Sequence, residues 1–98
     1  MNILQGRFKW NGTREEYEKI AENFVPEINK TPGLNWKIWA FDDERNEAFG
    51  LYYFRDDEMA QLVFDNMDSK TLGDMVSDVE FRIWDIQEEL CRINQVPL

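Results

Sequence analysis

The sequence predicts an α+β domain of the ferredoxin-like type, with a four-stranded antiparallel sheet and two helices on one of its faces. Four segments have the alternation and aromatic content typical of strands, and two segments carry apolar residues at helical spacing. They follow one another in the order β-α-β-β-α-β, which is that of the split βαβ fold. The 98 residues suffice for one domain, so residues 1–98 are interpreted as a single unit.

The first half of the chain has clear helix and strand signals. Residues 2–10 alternate between apolar and polar side chains and are predicted to form a strand. Thr13 is followed three residues later by Glu16, which is the pattern of a capping box, so a helix should begin there. Pro26 should kink or split this helix, because its ring and missing N–H disrupt a helix interior. Residues 31–33, with sequence TPG, end the segment.

The second half supplies the other strands, which are predicted over residues 34–41, 47–54 and 78–86. The first two of them form a hairpin, and Asp56 caps a second helix after it. Residues 67–77 are predicted to be irregular or briefly helical. Residues 88–94 are predicted to be a short amphipathic helix or arm with Leu90 and Ile93 facing inward.

The charge balance argues against polyanionic partners. Twenty acidic residues against 11 basic ones give a formal charge of −9, so neither nucleic acid nor an anionic membrane surface is expected as a partner. No apolar run approaches the roughly 18 to 20 residues that span a bilayer, and the N-terminal residues lack the pattern of a signal peptide. A cytoplasmic location is therefore expected.

The absence of histidine restricts the possible chemistry more than any other feature. It excludes a Ser-His-Asp triad, a Cys-His pair, a His-ligated haem and a two-His iron site. Cys91 is the single cysteine, so an intrachain disulfide and zinc sites of the Cys/His type are also excluded. The acidic clusters at 42–44 and 56–58 lack the spacing of a calcium loop. We therefore expect no metal and no cofactor.

The predicted sheet is apolar on both faces. In the second strand, strict alternation places Leu34, Trp36 and Ile38 on one face and Trp39 and Phe41 on the other. Two helices can cover only one face, and the other would expose an aromatic patch larger than monomers usually show. We therefore predict a homodimer in which two sheets pack together. The alternative is that the C-terminal tail and the segment before the last strand cover the second face.

The strands also carry the residues that could bind a ligand. Tryptophans mostly pack cores and interfaces, but some could line a flat cavity between sheet and helices that suits planar aromatic ligands. Trp36 and Trp39 have opposite strand parity, so only one of them can face such a cavity. A buried Tyr52 hydroxyl would need a partner and could donate to a substrate oxygen. Gly50 would let a ligand or an aromatic ring approach the sheet closely.

Two strings, INKTPGLNWKIW at 28–39 and NEAFGLYYF at 46–54, together with the IN at 93–94, resemble the YdhR-like monooxygenase family over nearly the whole chain. The resemblance implies a dimeric α+β barrel of the antibiotic-biosynthesis-monooxygenase type. Some members of that wider group oxidise polycyclic aromatic phenols to quinones with molecular oxygen and without metal or flavin. The haem-degrading relatives depend on a His ligand, which this sequence lacks. The positions shared with the family are Pro32, Gly33, Trp36, Lys37, Trp39, Glu47, Gly50, Tyr52 and Phe54.

The resemblance and the residues together predict a cofactor-independent monooxygenase that acts on a small or polycyclic aromatic substrate. Tyr52 would hydrogen-bond the oxyanion, and Lys37 or Arg7 would stabilise its charge, with Tyr52 and Lys37 as the predicted catalytic residues. The predicted substrate-binding residues are Trp36, Trp39, Gly50, Phe54 and Arg7. The alternatives are a non-catalytic dimer that binds a small hydrophobic molecule, and a structural module whose aromatic residues only pack.

Overall fold

Four strands and two helices follow one another along the described chain in the predicted order β-α-β-β-α-β, and a short C-terminal helix comes after them. The computed structural model describes residues 1–67 and 73–98. Its elements are β1 (Asn2–Trp10), α1 (Arg14–Asn29), β2 (Leu34–Asp42), β3 (Glu47–Phe54), α2 (Asp57–Asp65), β4 (Val76–Asp85) and α3 (Glu88–Ile93). The strands form one antiparallel sheet in the order β2-β3-β1-β4. This confirms the predicted ferredoxin-like fold.

The predicted helix starts are correct in detail. The Thr13 side chain accepts from the Glu16 N–H at the start of α1, and the Glu16 carboxylate accepts from the Thr13 N–H in return. The expected break at Pro26 is wrong, since α1 continues to Asn29. Pro26 lies in the last turn, where the loss of one N–H removes little of the helical hydrogen bonding. Asp56 caps α2 by accepting from two backbone N–H groups.

The last strand begins earlier than predicted. β4 starts at Val76 rather than at 78, directly after a single 3₁₀ turn over residues 73–75. Asp78 has a φ of 51°, and the pairing of β1 with β4 shifts register between Arg7 and Lys9. Such a bulge lets the strand continue past an irregular residue. The segment predicted to be irregular or briefly helical is 67–77, and its residues 68–72 lie outside the described residues.

The core lies between α2 and the sheet. Leu4 of β1, Phe54 of β3 and Ala60 of α2 are all fully buried and in contact. The partly buried residues packed around them are Leu34, Tyr52, Met59, Val63, Phe64, Met67 and Ile83. We call the sheet face that α1 and α2 cover the inner face and the opposite one the outer face. The removal of this apolar surface from water anchors α2 firmly to the inner face.

The other helix, α1, covers the inner face without packing closely on it. Tyr17 of α1 contacts the rings of Phe8, Trp10 and Phe41, with ring centroids 5.1 to 6.2 Å apart. Further along, however, α1 contains no buried residue, and Phe24 is 38% exposed although it lies on the apolar side of the helix. The helix is thus held near the sheet at one end, and a space remains beneath the rest of it.

A bulge in β2 determines which of its side chains face this space. Leu34 pairs with Phe54, but Trp36 pairs with Tyr53, so Asn35 is an extra residue in β2. The Asn35 side-chain oxygen accepts from the backbone N–H of Arg55 at 2.9 Å, next to this irregularity. The predicted grouping of Leu34 with Trp36 on one face is therefore wrong. Leu34 lies in the core on the inner face, whereas Trp36 lies on the outer face.

The outer face combines apolar residues with a charged centre. Trp36 packs against the buried ring of Tyr53, with centroids 5.0 Å apart. Arg7 lies between two carboxylates, Glu47 at 2.8 Å and Glu80 at 3.3 Å. Large apolar side chains remain exposed on this face, among them Ile38 at 49% and Trp84 at 48%.

The short helix α3 differs from its prediction. Leu90 and Ile93 were expected to face inward, but they are 65% and 79% exposed. None of the six residues of α3 is buried, so its apolar side is not covered by the part of the chain that the structure describes. None of the described helices has the length and apolar character needed to cross a membrane.

Candidate functional site

A cavity of about 830 Å³ lies between α1 and the inner face of the sheet. Its volume falls within the roughly 300 to 1,000 Å³ typical of small-molecule sites. Most of its surface is aromatic or aliphatic. The described residues that line it include Phe8, Trp10, Tyr17, Ile20, Ala21, Phe24, Ile28, Trp39, Phe49, Tyr52, Met67 and Phe81. An apolar ligand of the size of two or three fused rings fits a space of this kind.

The floor of the cavity is flat because two glycines lie side by side in the sheet. Gly6 of β1 pairs with Gly50 of β3, and the next residues across the sheet are Phe81 of β4 and Trp39 of β2. A Cβ atom at Gly6 would lie 3.3 Å from the Phe81 ring, so a larger residue there would displace that ring. The two glycines thus let the Phe81 ring and the Lys37 side chain lie directly against the sheet, and a planar ligand would lie above these two groups.

Lys37 brings an amine into this apolar space. Its side chain crosses the sheet above Gly50, where a Cβ atom would lie 3.0 Å from the Lys37 Cε. The Nζ donates to the Tyr52 hydroxyl at 2.9 Å and lies 3.3 Å from the centre of the Trp39 ring. Among the described lining residues the other charged group is Glu27, on α1. The amine is therefore placed among rings and a hydroxyl.

Burial controls the charge of the Lys37 amine. Removal from water disfavours the ammonium form and lowers its pKa to about 7. The ring faces of Trp39 and Tyr52 act in the opposite direction, because cation–π attraction favours the ammonium form. Near neutral pH a large fraction of Lys37 is thus a neutral amine, which can accept a proton.

Burial has the opposite consequence for Tyr52. It raises the pKa of this phenol to about 12, with a smaller contribution from the charge of Tyr17 in the same direction. Burial also raises the pKa of Tyr17. Tyr52 is therefore a neutral phenol at physiological pH and can donate its proton in a hydrogen bond. Lys37 and Tyr52 together form a proton acceptor next to a proton donor.

Four of the residues predicted for the site meet in this cavity. Lys37, Trp39, Gly50 and Tyr52 all line it, from the adjacent strands β2 and β3. The parity argument for the two tryptophans is confirmed, because Trp39 is on the inner face. Beyond the bulge in β2, the side chains of Lys37 and Trp39 point toward the helices.

The structure does not bring the other three to the cavity. Trp36 lies on the outer face against Tyr53. Arg7 lies on the outer face too, because it follows Gly6 in β1 and successive side chains alternate. Phe54 is on the inner face but is fully buried beneath α2, in the core with Leu4. A substrate-binding role for these three has no support from their positions.

Sequence reasoning missed several lining residues for which a signal existed. The apolar stripe of α1, including Tyr17, Ile20 and Phe24, was recognised as helical spacing but interpreted as packing. Gly6 was placed in β1, but its pairing with Gly50 appears only once the strand register is known. In residues 1–67 and 73–98, acidic and cysteine side chains form no cluster of three or more that could hold a metal ion.

Comparison with known families identifies the chain. The family model described as "Putative mono-oxygenase ydhR" matches residues 3–97. The chain belongs to the ydhR mono-oxygenase family. A sequence search among curated proteins gives no match. The family assignment confirms the resemblance seen in the two strings that contain Trp36 to Trp39 and Gly50 to Phe54.

Three solved structures have a similar fold. SnoaB from Streptomyces nogalater, described as a cofactor-independent oxygenase, is 11% identical with a TM-score of 0.69, over 88% of this chain and 92% of its own. A "putative antibiotic biosynthesis monooxygenase" from Deinococcus radiodurans is 10% identical with a TM-score of 0.65, over 88% and 92%. MhuD, solved with two manganese protoporphyrin IX groups per active site, is 11% identical with a TM-score of 0.67, over 89% and 95%. At these identities the similarity establishes the shared fold of the ydhR-family chain.

Proposed function

We propose that this ydhR-family protein is a cofactor-independent monooxygenase that oxidises a planar aromatic phenol with molecular oxygen. The observation that supports this most directly is the pairing of Lys37 and Tyr52 at 2.9 Å inside a flat apolar cavity. The family is one of mono-oxygenases, and SnoaB, of similar fold, is described as a cofactor-independent oxygenase. The chain contains no histidine, so a His-ligated haem like that of haem-degrading relatives is not part of the proposal.

The proposed reaction needs only the substrate, oxygen and the protein. One carbon of the ring system becomes a carbonyl, one oxygen atom enters the product and the other leaves as water. The substrate supplies all four electrons that reduce O₂. Ionisation of the phenol makes the ring electron-rich enough to react with oxygen, so the protein must promote that ionisation and exclude water.

The cavity residues divide these tasks between them. The neutral Lys37 amine accepts the phenolic proton, and the resulting ammonium stabilises the phenolate. Tyr52 stays protonated and donates a hydrogen bond to the same oxygen. The aromatic side chains that line the cavity, Trp39 and Phe81 among them, pack against the substrate ring and hold it near the Lys37 amine. Aromatic residues of α1 close the cavity from above.

An oxygen-uptake assay tests the proposal. Anthrone, which ionises to a planar phenolate, is supplied to the purified protein, and oxygen consumption is recorded with anthraquinone formation. We expect one O₂ consumed for each quinone formed, at a rate well above that without protein. A rate equal to the protein-free rate for anthrone and for a panel of naphthols would overturn the oxygenase proposal.

A second candidate is a non-catalytic dimer that sequesters a small hydrophobic molecule. It is favoured by the cavity itself, which is largely apolar and has the volume of a small-molecule site. In that case the quenching of Trp39 fluorescence would show tight binding of planar aromatic compounds, and none of them would be turned over.

The proposal includes a homodimer and a cytoplasmic location. Exposed apolar residues on the outer face, with Ile38 about half exposed, provide a surface for a second sheet. The charged groups at its centre are paired with one another, since Arg7 bonds Glu47 and Glu80 and Arg82 also bonds Glu80. The single free cysteine, Cys91, suits a reducing compartment.

The dimer leads to a prediction for Ile38. We expect Ile38→Glu to shift the protein from dimer to monomer, because a carboxylate at an apolar interface would be buried without a partner. Light scattering coupled to gel filtration at micromolar concentration measures the mass. Leu62→Glu is the matched control, since Leu62 is exposed to a similar extent, 54%, but on α2. A wild-type protein that is monomeric in this measurement would contradict the dimer.

A further inference from the structure

We propose that Lys37 also forms a covalent site for planar aromatic aldehydes and ketones, which it captures as an imine. The inference concerns the same cavity but a different reaction, in which molecular oxygen takes no part. It does not depend on the oxygenase activity, because a protein that only binds aromatic ligands would present the same amine.

The position of the Lys37 amine supports this proposal. The Nζ is in a cavity lined mainly by rings, 3.3 Å from the centre of Trp39 and 2.9 Å from the Tyr52 oxygen. The ion pairs of the described chain do not include Lys37. A flat aromatic aldehyde held among the rings of the cavity, above the Lys37 side chain that covers Gly50, would bring its carbonyl carbon next to this amine. Orientation of this kind replaces an encounter in solution.

The neighbouring hydroxyl completes what imine formation requires. The nitrogen lone pair of Lys37 forms a bond to the carbonyl carbon, and the carbonyl oxygen takes up a proton to give a carbinolamine. That hydroxyl then leaves as water while the C=N bond forms. Tyr52 can donate the proton that the leaving hydroxyl needs and regain it from the nitrogen. Atoms balance as amine plus carbonyl giving imine plus water, with no change in oxidation state.

The charge state of the amine supports the same conclusion. An ordinary lysine side chain titrates near about 10.4 and is almost fully protonated at neutral pH, which makes it a poor nucleophile. Burial lowers the pKa of Lys37 to about 7, so the reactive neutral form is abundant. The titratable groups that face it from the described elements are Tyr52 on β3 and Tyr17 and Glu27 on α1.

Reductive trapping tests the site. The protein is incubated at pH 7 without oxygen with 2-naphthaldehyde and cyanoborohydride, which reduces an imine to a stable amine, and the adduct is located by peptide mass spectrometry. We expect at least about tenfold more label on Lys37 than on the exposed Lys9, Lys19 or Lys30, because far more of its amine is neutral at this pH. Unlabelled 2-naphthol should slow labelling of Lys37 alone by occupying the cavity.

Controls separate the cavity from general amine reactivity. The α-amine of Met1, which is paired with Asp57, is a competing amine, and peptide mapping distinguishes it from Lys37. Lys37→Arg should abolish the cavity adduct, whereas Lys30→Arg should not, and circular dichroism verifies that both fold. Tyr52→Phe should slow labelling several-fold. Label spread evenly over the lysines, or confined to the α-amine, in the wild-type protein would overturn the inference.

The outcome is independent of the oxygen assay. Labelling at Lys37 without oxygen uptake would leave the covalent site standing and remove the oxygenase proposal. Oxygen uptake without labelling of Lys37 would support the oxygenase proposal and overturn the covalent site.

Discussion

Lys37→Met is expected to lower kcat/KM for oxygenation of the aromatic phenol by about 10²- to 10⁴-fold, the usual contribution of a positioned acid–base group. Methionine keeps much of the length of the side chain and removes the proton acceptor, so the cavity remains filled in the same way. The measurement is the initial rate of oxygen uptake at several substrate concentrations. Lys30→Met, on the exposed end of α1, is the matched control and should have the wild-type rate.

The pH profile of the wild-type protein tests the same role. Lys37 accepts a proton only as a neutral amine, so kcat/KM should rise with pH through about 7 and level off above it. Tyr52, whose pKa is raised to about 12, should add no inflection between pH 6 and 10. The inflection near 7 should be absent in Lys37→Met.

Lys37→Arg decides between two roles of the lysine. Arginine keeps the positive charge but cannot accept a proton at these pH values. If Lys37 acts as the base, the Lys37→Arg variant should be as inactive as the Lys37→Met variant. An Arg variant with near-wild-type activity would contradict the base role and assign Lys37 to charge stabilisation alone.

The fold could be predicted from local signals because those signals agree with one another. The capping box at Thr13, the Asp56 cap and the strand alternation each specify a local structure, and together they allow few topologies. The errors occur where one residue changes the outcome. Pro26 is in a last turn that tolerates it, and a helix boundary is not visible in a periodic pattern.

The face assignments of β2 failed for a physical reason that sequence alone does not reveal. One extra residue at Asn35 reverses the side-chain alternation for everything before it, so Leu34 and Trp36 point to opposite faces. The bulge depends on the register with β3 and on the contact between Asn35 and Arg55, which are distant in sequence.

The lowered pKa of Lys37 could not be predicted from the sequence either. The pKa of the amine is lowered because α1 stands away from the sheet and leaves an apolar cavity in which the amine is partly removed from water. A lysine in an alternating strand usually extends its amine to solvent. The sequence could therefore identify Lys37 and Tyr52 as candidates, but not their contact at 2.9 Å or the charge that follows from their burial.

Phe54→Ala is expected to reduce the free energy of unfolding by about 3–5 kcal/mol, the usual range for a buried phenylalanine. The side chain is fully buried between β3 and α2, in contact with Leu4 and Ala60, so its removal leaves a cavity in the core. Since small domains are stable by only about 5–15 kcal/mol, this is a large part of the total. Urea denaturation measures the change.

Phe24→Ala is the matched control, because Phe24 lines the ligand cavity and is 38% exposed. Phe24→Ala should change the free energy of unfolding by less than about 1 kcal/mol, because it removes little buried surface. It should also weaken the binding of a planar aromatic ligand. Phe54→Leu, which fills most of the core space, should remain folded and bind the ligand as the wild type does. If instead Phe54→Leu lost ligand affinity at unchanged stability, Phe54 would belong to the substrate site, as the sequence predicted, and the assignment of this residue to the core beneath α2 would be wrong.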